Sequence, residues 1–359
     1  MVMRIYTIAR SVHLERLKDF STGHLYFLKK SYDFHAAPNG ANWTQCSSVF
    51  SLLIKVFSAR GETIEINEPL SISSWPVTVA IVSVNRFLRL VSPKPNRIVS
   101  YAIENMDVSL ALASKLRIPR RLSRALVRLF AGYIHGGLHR VAFGTLGASE
   151  NYGALLSPRV LSIPESELFL ALPNPCECAK TTRVSSSRKF VFLGSLERRK
   201  GFRLLCEAWT KNAISGRDAG CLTVLGKGVM QPIALQLASK WPSQVAVEID
   251  PARSRIHATL RDSDIMVLMS QAEPRWREQV GLPILEALAH GLHVVTTDES
   301  GLAPWLRANG HTVLRSSCDA DELAETLVAL STTPVSPATI LGSLPQLDQR
   351  VAADEWLCA

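Results

Sequence analysis

Nowhere in its 359 residues does the chain run through the 18 or more apolar residues that a membrane-spanning helix needs. The stretch from Pro69 to Asn85 lacks charge, but serines, Thr78 and two prolines interrupt it. The opening MVMRIYTIARS holds no long apolar run before a small-residue cleavage site, so it is read as a first strand, Arg4–Ile8, and not as a signal peptide. Cysteines number seven, an odd count, and the one close pair is Cys176-Glu-Cys178. That spacing is neither CxxC nor a usual zinc pattern, and no second pair supports it, so no metal site is expected and a reducing cytoplasm is. The turn LGKGVM (225–230) is too short for the phosphate-binding pattern GxxxxGK[ST]. Aromatic residues make up only 7%, and no basic patch is interleaved with them, which argues against nucleic acid as a partner.

The net charge is +9, and all of the excess lies in the first half. Residues 1–170 hold 20 Lys+Arg against 11 Asp+Glu, whereas residues 171–359 hold 20 of each. The densest part is KLRIPRRLSRALVRLF, with Lys115, Arg117, Arg120, Arg121, Arg124 and Arg128. Leu122, Leu126, Val127, Leu129 and Phe130 give it an apolar side at helical spacing. A basic amphipathic helix of this kind suits an anionic membrane surface or an acidic substrate.

In the second half, short continuous apolar runs alternate with helical patterns. RKFVFLGSL (188–196), CLTVLGKG (221–228), QVAVEID, DIMVLMS and HVVTTD read as buried strands. Between them, RRKGFRLLCEAWTKN, QPIALQLASKW, RIHATLRDS, GLPILEALAHG and DADELAETLVALS read as helices. Unbroken apolar strands alternating with helices imply a parallel sheet covered on both faces. The first half repeats the alternation less cleanly, with strands expected at Arg4–Ile8, Thr63–Asn67, Arg97–Ala102 and Val141–Ala148, and a turn at Ala37-Pro-Asn-Gly-Ala41. The polar stretch LPNPCECAKTTRVSSSRK (172–189), where the charge balance changes, marks a boundary. The expected architecture is α/β: two doubly wound, Rossmann-like domains facing a cleft. An N-terminal acceptor-binding domain would cover 1–172 and a donor-binding domain 173–345. A C-terminal helix over 346–359 would pack back on the first.

One stretch carries the chemistry, EQVGLPILEALAHGLHVV (278–295). DIMVLMS leads out of a parallel sheet at its carboxyl end, where ligands bind in such sheets. A helix then begins at Gly281-Leu282-Pro283, and its first N–H groups and dipole favour an anion. Glu286, a turn into that helix, is placed to take a diol, and Glu278, on the loop before it, to face another part of the same ligand. A nucleotide-sugar offers a diol, a diphosphate and a polyhydroxyl group in that order. In FLGSLERRKGF the strand ends at Gly194-Ser195, and Arg198, Arg199 and Lys200 follow, cations suited to a diphosphate leaving group.

GSLERRKG, VLGKG, SDIMVLMS and above all EQVGLPILEALAHG resemble the donor domain of the retaining glycosyltransferases of the GT-B fold. That family includes bacterial glycogen synthase and the phosphatidylinositol mannosyltransferases and has a Glu-x7-Glu motif; LPNP (172–175) is similar to its interdomain Pro-Asn turn. The resemblance implies that Glu286 binds the ribose and that Glu278 touches the donor sugar near the reacting centre. It implies that Gly281 and Leu282, with Lys200, hold the diphosphate, in a site completed by Gly194, Ser195, Arg198, Arg199, Gln279 and Val280. It implies no metal or other cofactor. Ser195 stands where the family often has arginine, and Gln279-Val280 where it often has Gly-Phe. For its N-terminal Gly-Gly loop the chain offers only Ser21-Thr22-Gly23-His24. Glu104, closing RIVSYAIENM, is the candidate on the acceptor side, with His24, His135 and His139 as alternatives. The expected activity is transfer of a hexosyl group from a nucleotide-diphosphate sugar to an acceptor hydroxyl with retention. The acceptor would be a sugar, a lipid-linked or another small molecule, met in the cytoplasm or at the inner face of a membrane. A nucleotide-sugar epimerase of the same fold, or a non-catalytic basic scaffold at a membrane surface, are the alternatives.

Overall fold

The structure, a computed structural model, describes residues 2–20, 23–31, 34, 42–182, 187–273 and 276–359. The turn expected at Ala37–Ala41 and the pair Ser21-Thr22 lie outside the described residues. The chain divides into two compact units, Met1–Leu170 with Arg350–Ala359, and Ala171–Gln349.

Among the described residues the first unit is built on seven strands: β1 (Val2–Ala9), β2 (His24–Lys30), β3 (Trp43–Gln45), β4 (Thr63–Ile66), β5 (Arg97–Ala102), β6 (Arg140–Phe143) and β7 (Glu165–Leu168). They hydrogen-bond in the order β3-β2-β1-β4-β5-β6-β7. Every pairing is parallel. Among the helices on one face, α1 (Val49–Ser58), α2 (Trp75–Val91) and α3 (Arg120–His135) lie side by side. Ser48 opens α1 with a reciprocal capping bond to Ser51, and a proline in the first turn opens α2. Leu52, Val82, Val127 and Ile134 of these helices meet Ile64 and Ile98 of the sheet in one core.

On the sheet's other side Val99 and Ala142 pack against Ala353 and Leu357 of the C-terminal helix Gln349–Cys358. That helix is held by charges as well as by apolar contact. Arg4 of β1 donates to both carboxylate oxygens of Asp354 at 2.6 and 2.7 Å, and its Nε lies 3.2 Å from Glu65 of β4. Arg350 donates to Glu65 in turn, as does the Tyr6 hydroxyl at 2.9 Å. All four charged groups are buried. Burial alone would raise the Glu65 carboxyl, but the Arg350 and Arg4 guanidinium groups outweigh it and hold it below the usual range.

The second unit carries β8 (Lys189–Leu193), β9 (Cys221–Leu225), β10 (Val245–Glu248), β11 (Ile265–Leu268), β12 (His293–Thr297) and β13 (Thr312–Leu314). Their order is β10-β9-β8-β11-β12-β13, all parallel. This is the doubly wound order, whose direction reverses between β8 and β11 and opens a crevice at the carboxyl ends of those two strands. Three of its helices bear on function: α4 (Phe202–Ile214), α5 (Arg253–Asp262) and α6 (Leu282–Ala289).

Three sequence expectations need correcting. The strand placed at Val141–Ala148 ends at Phe143, because Thr145 accepts the N–H of Ala148 and starts a helix at Leu146. Strands β2, β3, β7 and β13 were not foreseen; β7 is exposed along its whole length and so has no apolar run to betray it, and β3 and β13 are three residues each. The apolar side read along α3 is divided. Val127 is buried and Leu126 half-buried, while Leu122 and Leu129 lie exposed among the arginines.

Candidate functional site

The candidate site of the second unit grows from the turns that leave β8 and β11. After β8 the chain passes Gly194, Ser195 and Leu196, makes a short turn of 3-10 helix over Arg198–Lys200, and enters α4 at Gly201. Gly201 has φ +68, and a Cβ there would stand 1.9 Å from the carbonyl oxygen of Met269, so only glycine lets this turn lie on the end of β11. The neighbouring turn after β9 is bonded to it backbone to backbone, Leu196 N–H to Lys227 O at 2.9 Å and Met230 N–H to Leu196 O at 3.0 Å. Lys200 is thereby fixed at the switch point and 9% exposed.

There its ammonium meets Glu278, itself 7% exposed, in a short ion pair. The Ser270 hydroxyl donates to the same carboxylate oxygen at 2.9 Å. Lys200 and Arg199 also lie over the Trp276 ring, at 5.0 and 4.7 Å from its centroid. The Glu278 carbonyl accepts from Gly301 N–H at 3.2 Å, and Arg277 pairs with Glu299 at 3.2 Å, which ties the loop to the end of β12.

Beyond this pair Gln279 and Val280 lead into α6. Gly281 is its N-cap, with φ 76, and its carbonyl accepts Ile284 N–H at 2.7 Å. The N–H groups of Gly281 and Leu282 are ones the helix itself does not use, and Pro283 has none. Leu282 is exposed. Glu286 lies one turn on and does not join the Lys200–Glu278 pair; its Oε1 receives Arg253 of α5 at 2.7 Å. Arg198 is exposed and Ser195 half-buried beside it. The sequence reading missed Ser270, although it stands just past β11 and eight positions before Glu278, because a lone serine at a strand end carries no signal of its own. It missed the Arg253 partnership because Arg253 comes from α5, 33 positions before Glu286.

In the first unit Glu104 follows β5 and Glu68 follows β4, both at the carboxyl ends of parallel strands. Glu68 had no sequence signal. It accepts the N–H groups of Ile103 and Glu104 and the Tyr152 hydroxyl, each at 3.1 Å. Burial, and then the Glu104 charge, raise its carboxyl well above the usual range. The three histidines are differently placed. His24 begins β2 and His139 precedes β6, so both stand at the amino ends of strands, away from the ligand-binding edge. His135 is buried, its Nδ1 3.1 Å from Val160 O, and burial lowers its pKa to about 4. It packs within the fold.

The pair Cys176-Glu-Cys178, set aside on spacing, lies beside His257 of α5 and His290 at the end of α6. One donor atom from each falls within 4.8 Å of all the others.

Two parallel doubly wound units, the second with a cationic turn and a helix start at its switch point, define the GT-B fold of glycosyltransferases. Residues 187–333 match the family model described as "Glycosyl transferases group 1". No curated protein matches the chain in sequence. Among solved structures the chain is similar to WaaG, a glycosyltransferase involved in lipopolysaccharide biosynthesis, at 14% identity and TM-score 0.61 over 99% of each chain. It is similar to HepE (Alr3699) of Anabaena in complex with UDP-glucose, at 11% identity and TM-score 0.64, covering 99% of this chain and 98% of that one. It is also similar to WaaB, a lipopolysaccharide outer core galactosyltransferase, at 12% identity and TM-score 0.62 over 98% of each chain.

Proposed function

We propose that the chain is a retaining glycosyltransferase that takes a sugar from a nucleoside-diphosphate donor and passes it to an acceptor hydroxyl. The observation that carries this is the convergence of Lys200, Glu278 and Ser270 at the switch point, next to the start of the helix that bears Glu286. The diphosphate lies against the N–H groups of Gly281 and Leu282 and draws the Lys200 ammonium toward it. Ser195, Arg198 and Arg199 line the same turn. These charges offset the leaving diphosphate, so the transfer itself needs no metal ion. Arg253 holds one oxygen of Glu286, and the other faces the ribose. Glu278, held by Ser270 while Lys200 turns to phosphate, faces the donor sugar. As the bond to the anomeric carbon breaks, the leaving phosphate oxygen takes the acceptor's proton on the face where the acceptor attacks, and configuration is retained.

The acceptor, a lipid-linked or other glycan intermediate, is met at an anionic membrane surface by the first unit. Phe50 and Ile54 of α1, Leu90 of α2, and Leu122 and Leu129 of α3 are exposed on adjacent helices, with Arg121 and Arg124 among them. Glu104 is the polar group of this unit assigned to the acceptor side.

The test is calorimetric titration of UDP, GDP, ADP and TDP into the full chain and into Glu286→Ala. UDP comes first because UDP-glucose is the ligand of the similar HepE structure. One nucleotide is expected to bind, and Glu286→Ala is expected to weaken it by about 1.5–3 kcal/mol, the cost of hydrogen bonds lost to a charged group. Unchanged binding by the mutant removes Glu286 from the site. Release of nucleoside diphosphate that depends on an acceptor then separates transfer from epimerisation.

A further inference from the structure

We propose that the second unit holds a structural zinc ion, bound by Cys176 Sγ, Cys178 Sγ, His257 Nδ1 and His290 Nε2. The two sulfurs are 3.1 Å apart and the two nitrogens 3.1 Å apart. Cys178 Sγ lies 3.3 Å from His290 Nε2 and 4.0 Å from His257 Nδ1, and Cys176 Sγ lies 3.9 Å from His257 Nδ1. A tetrahedral zinc with bonds of about 2.3 Å to sulfur and 2.0 Å to nitrogen has edges of roughly 3.3–3.8 Å. The five distances above bracket that range, and the sixth, Cys176 Sγ to His290 Nε2, is within 4.8 Å, so small shifts bring the four atoms onto one ion. The sulfurs are too far apart for a disulfide, and both cysteines are free. Hydrogen bonding alone gives little reason for the cluster, because thiols are weak donors and weak acceptors.

A second, independent observation points the same way. His290 Nδ1 stands 2.7 Å from the carbonyl oxygen of Glu286. A carbonyl only accepts, so Nδ1 carries the proton, and the lone pair of the neutral ring is on Nε2, facing the cluster. Metal-bound histidines are oriented in just this way. The backbone supports the sulfurs too: Cys176 N–H donates to Ala289 O at 2.7 Å and Ala179 N–H to Cys176 O at 2.9 Å, closing a turn over the two cysteines against the end of α6. A cation there also meets the negative end of the helix dipole.

Four protein ligands leave no open position, so the ion is structural and not catalytic. Two sulfurs and two imidazole nitrogens in a tetrahedron select zinc over hard cations. On binding, both thiols lose their protons to solvent and the two thiolates cancel the ion's charge. The ion clamps the 176–178 turn and α5 to the carboxyl end of α6, the helix whose other end opens at Gly281. The inference stands whatever the chain's reaction.

The experiment uses the full chain, purified without chelator and desalted, with zinc counted by mass spectrometry. About one ion per chain is expected in the wild type and in Cys221→Ser, which alters an exposed cysteine outside the cluster. Cys178→Ser and His257→Ala are expected to lose it. In case these variants fold poorly, the wild type is also stripped and refilled with cobalt(II). Thiolate-to-cobalt charge transfer with intense tetrahedral ligand-field bands is expected, and a fall in Tm on stripping. A chain that takes up neither ion, variants that retain zinc as the wild type does, or an intact mass showing Cys176 and Cys178 joined as a disulfide would each overturn the proposal.

Discussion

Lys200 and Glu278, placed at the proposed donor site, are also held by the fold. Both are nearly out of solvent, so each charge was stripped of water to reach its place, and their attraction and the Ser270 hydrogen bond offset that cost. Removing one partner leaves the other charge buried and unpaired. Lys200→Met is therefore expected to lower stability by about 3 kcal/mol, and Lys200→Met/Glu278→Gln to recover most of that loss. Urea denaturation of both variants and of Glu278→Gln measures the coupling; additive losses would mean that the pair does not interact. In sequence both residues were legible as site candidates, because glycines and strand ends framed them. That they bind each other was not, since 78 positions separate them. The cysteine pair shows the same limit more sharply. Its spacing is neither CxxC nor a usual zinc pattern and no second cysteine pair supports it, and that His257 and His290 stand beside it depends on the packing of α5 beside α6.

Elements were legible where burial was complete on both faces. β11 and, after Lys189, β8 are continuous apolar runs, and β12 is a Val-Val pair followed by two buried threonines; all three were found close to their true ends. β2 carries a histidine and two lysines, and β7 has no buried residue, so neither shows the pattern of a core strand. The C-terminal helix was legible as a helix from Val351, Trp356 and Leu357, but its polar attachment was not. Arg4, Glu65, Arg350 and Asp354 form a buried set of two positive and two negative groups. Arg97 and Arg140 add hydrogen bonds to the carbonyls of Ala359 and Trp356 at 2.9 and 2.6 Å. Asp354→Ala leaves the buried arginines short of a counter-charge, and a loss of about 3–5 kcal/mol from the first unit is expected. Because the network is out of water, the loss should be nearly the same at low and high salt. A loss that vanishes in salt, or none at all, would show that the helix is held by its apolar contacts.

At the scale of the whole molecule the charge is unevenly shared, and the basic excess belongs to the unit whose helices α1, α2 and α3 expose apolar side chains. A solvated helix usually hides its large apolar residues. Here Phe50, Leu90 and Leu129 point outward, and arginines stand between Leu122 and Leu129 on α3. Apolar burial and attraction to anionic headgroups would then act together, each basic residue near the surface contributing about 1 kcal/mol. Vesicle flotation gives the test. The chain is expected to float with vesicles containing phosphatidylglycerol and much less with phosphatidylcholine alone, and the difference should shrink in high salt. Arg121→Gln/Arg124→Gln should weaken the anionic binding by about 2 kcal/mol, roughly thirtyfold. Leu129→Ser should weaken binding to both vesicle types, with the salt dependence kept. Equal binding to both lipids by the wild type would leave the basic face without a role at a membrane, and the acceptor would then be sought in solution.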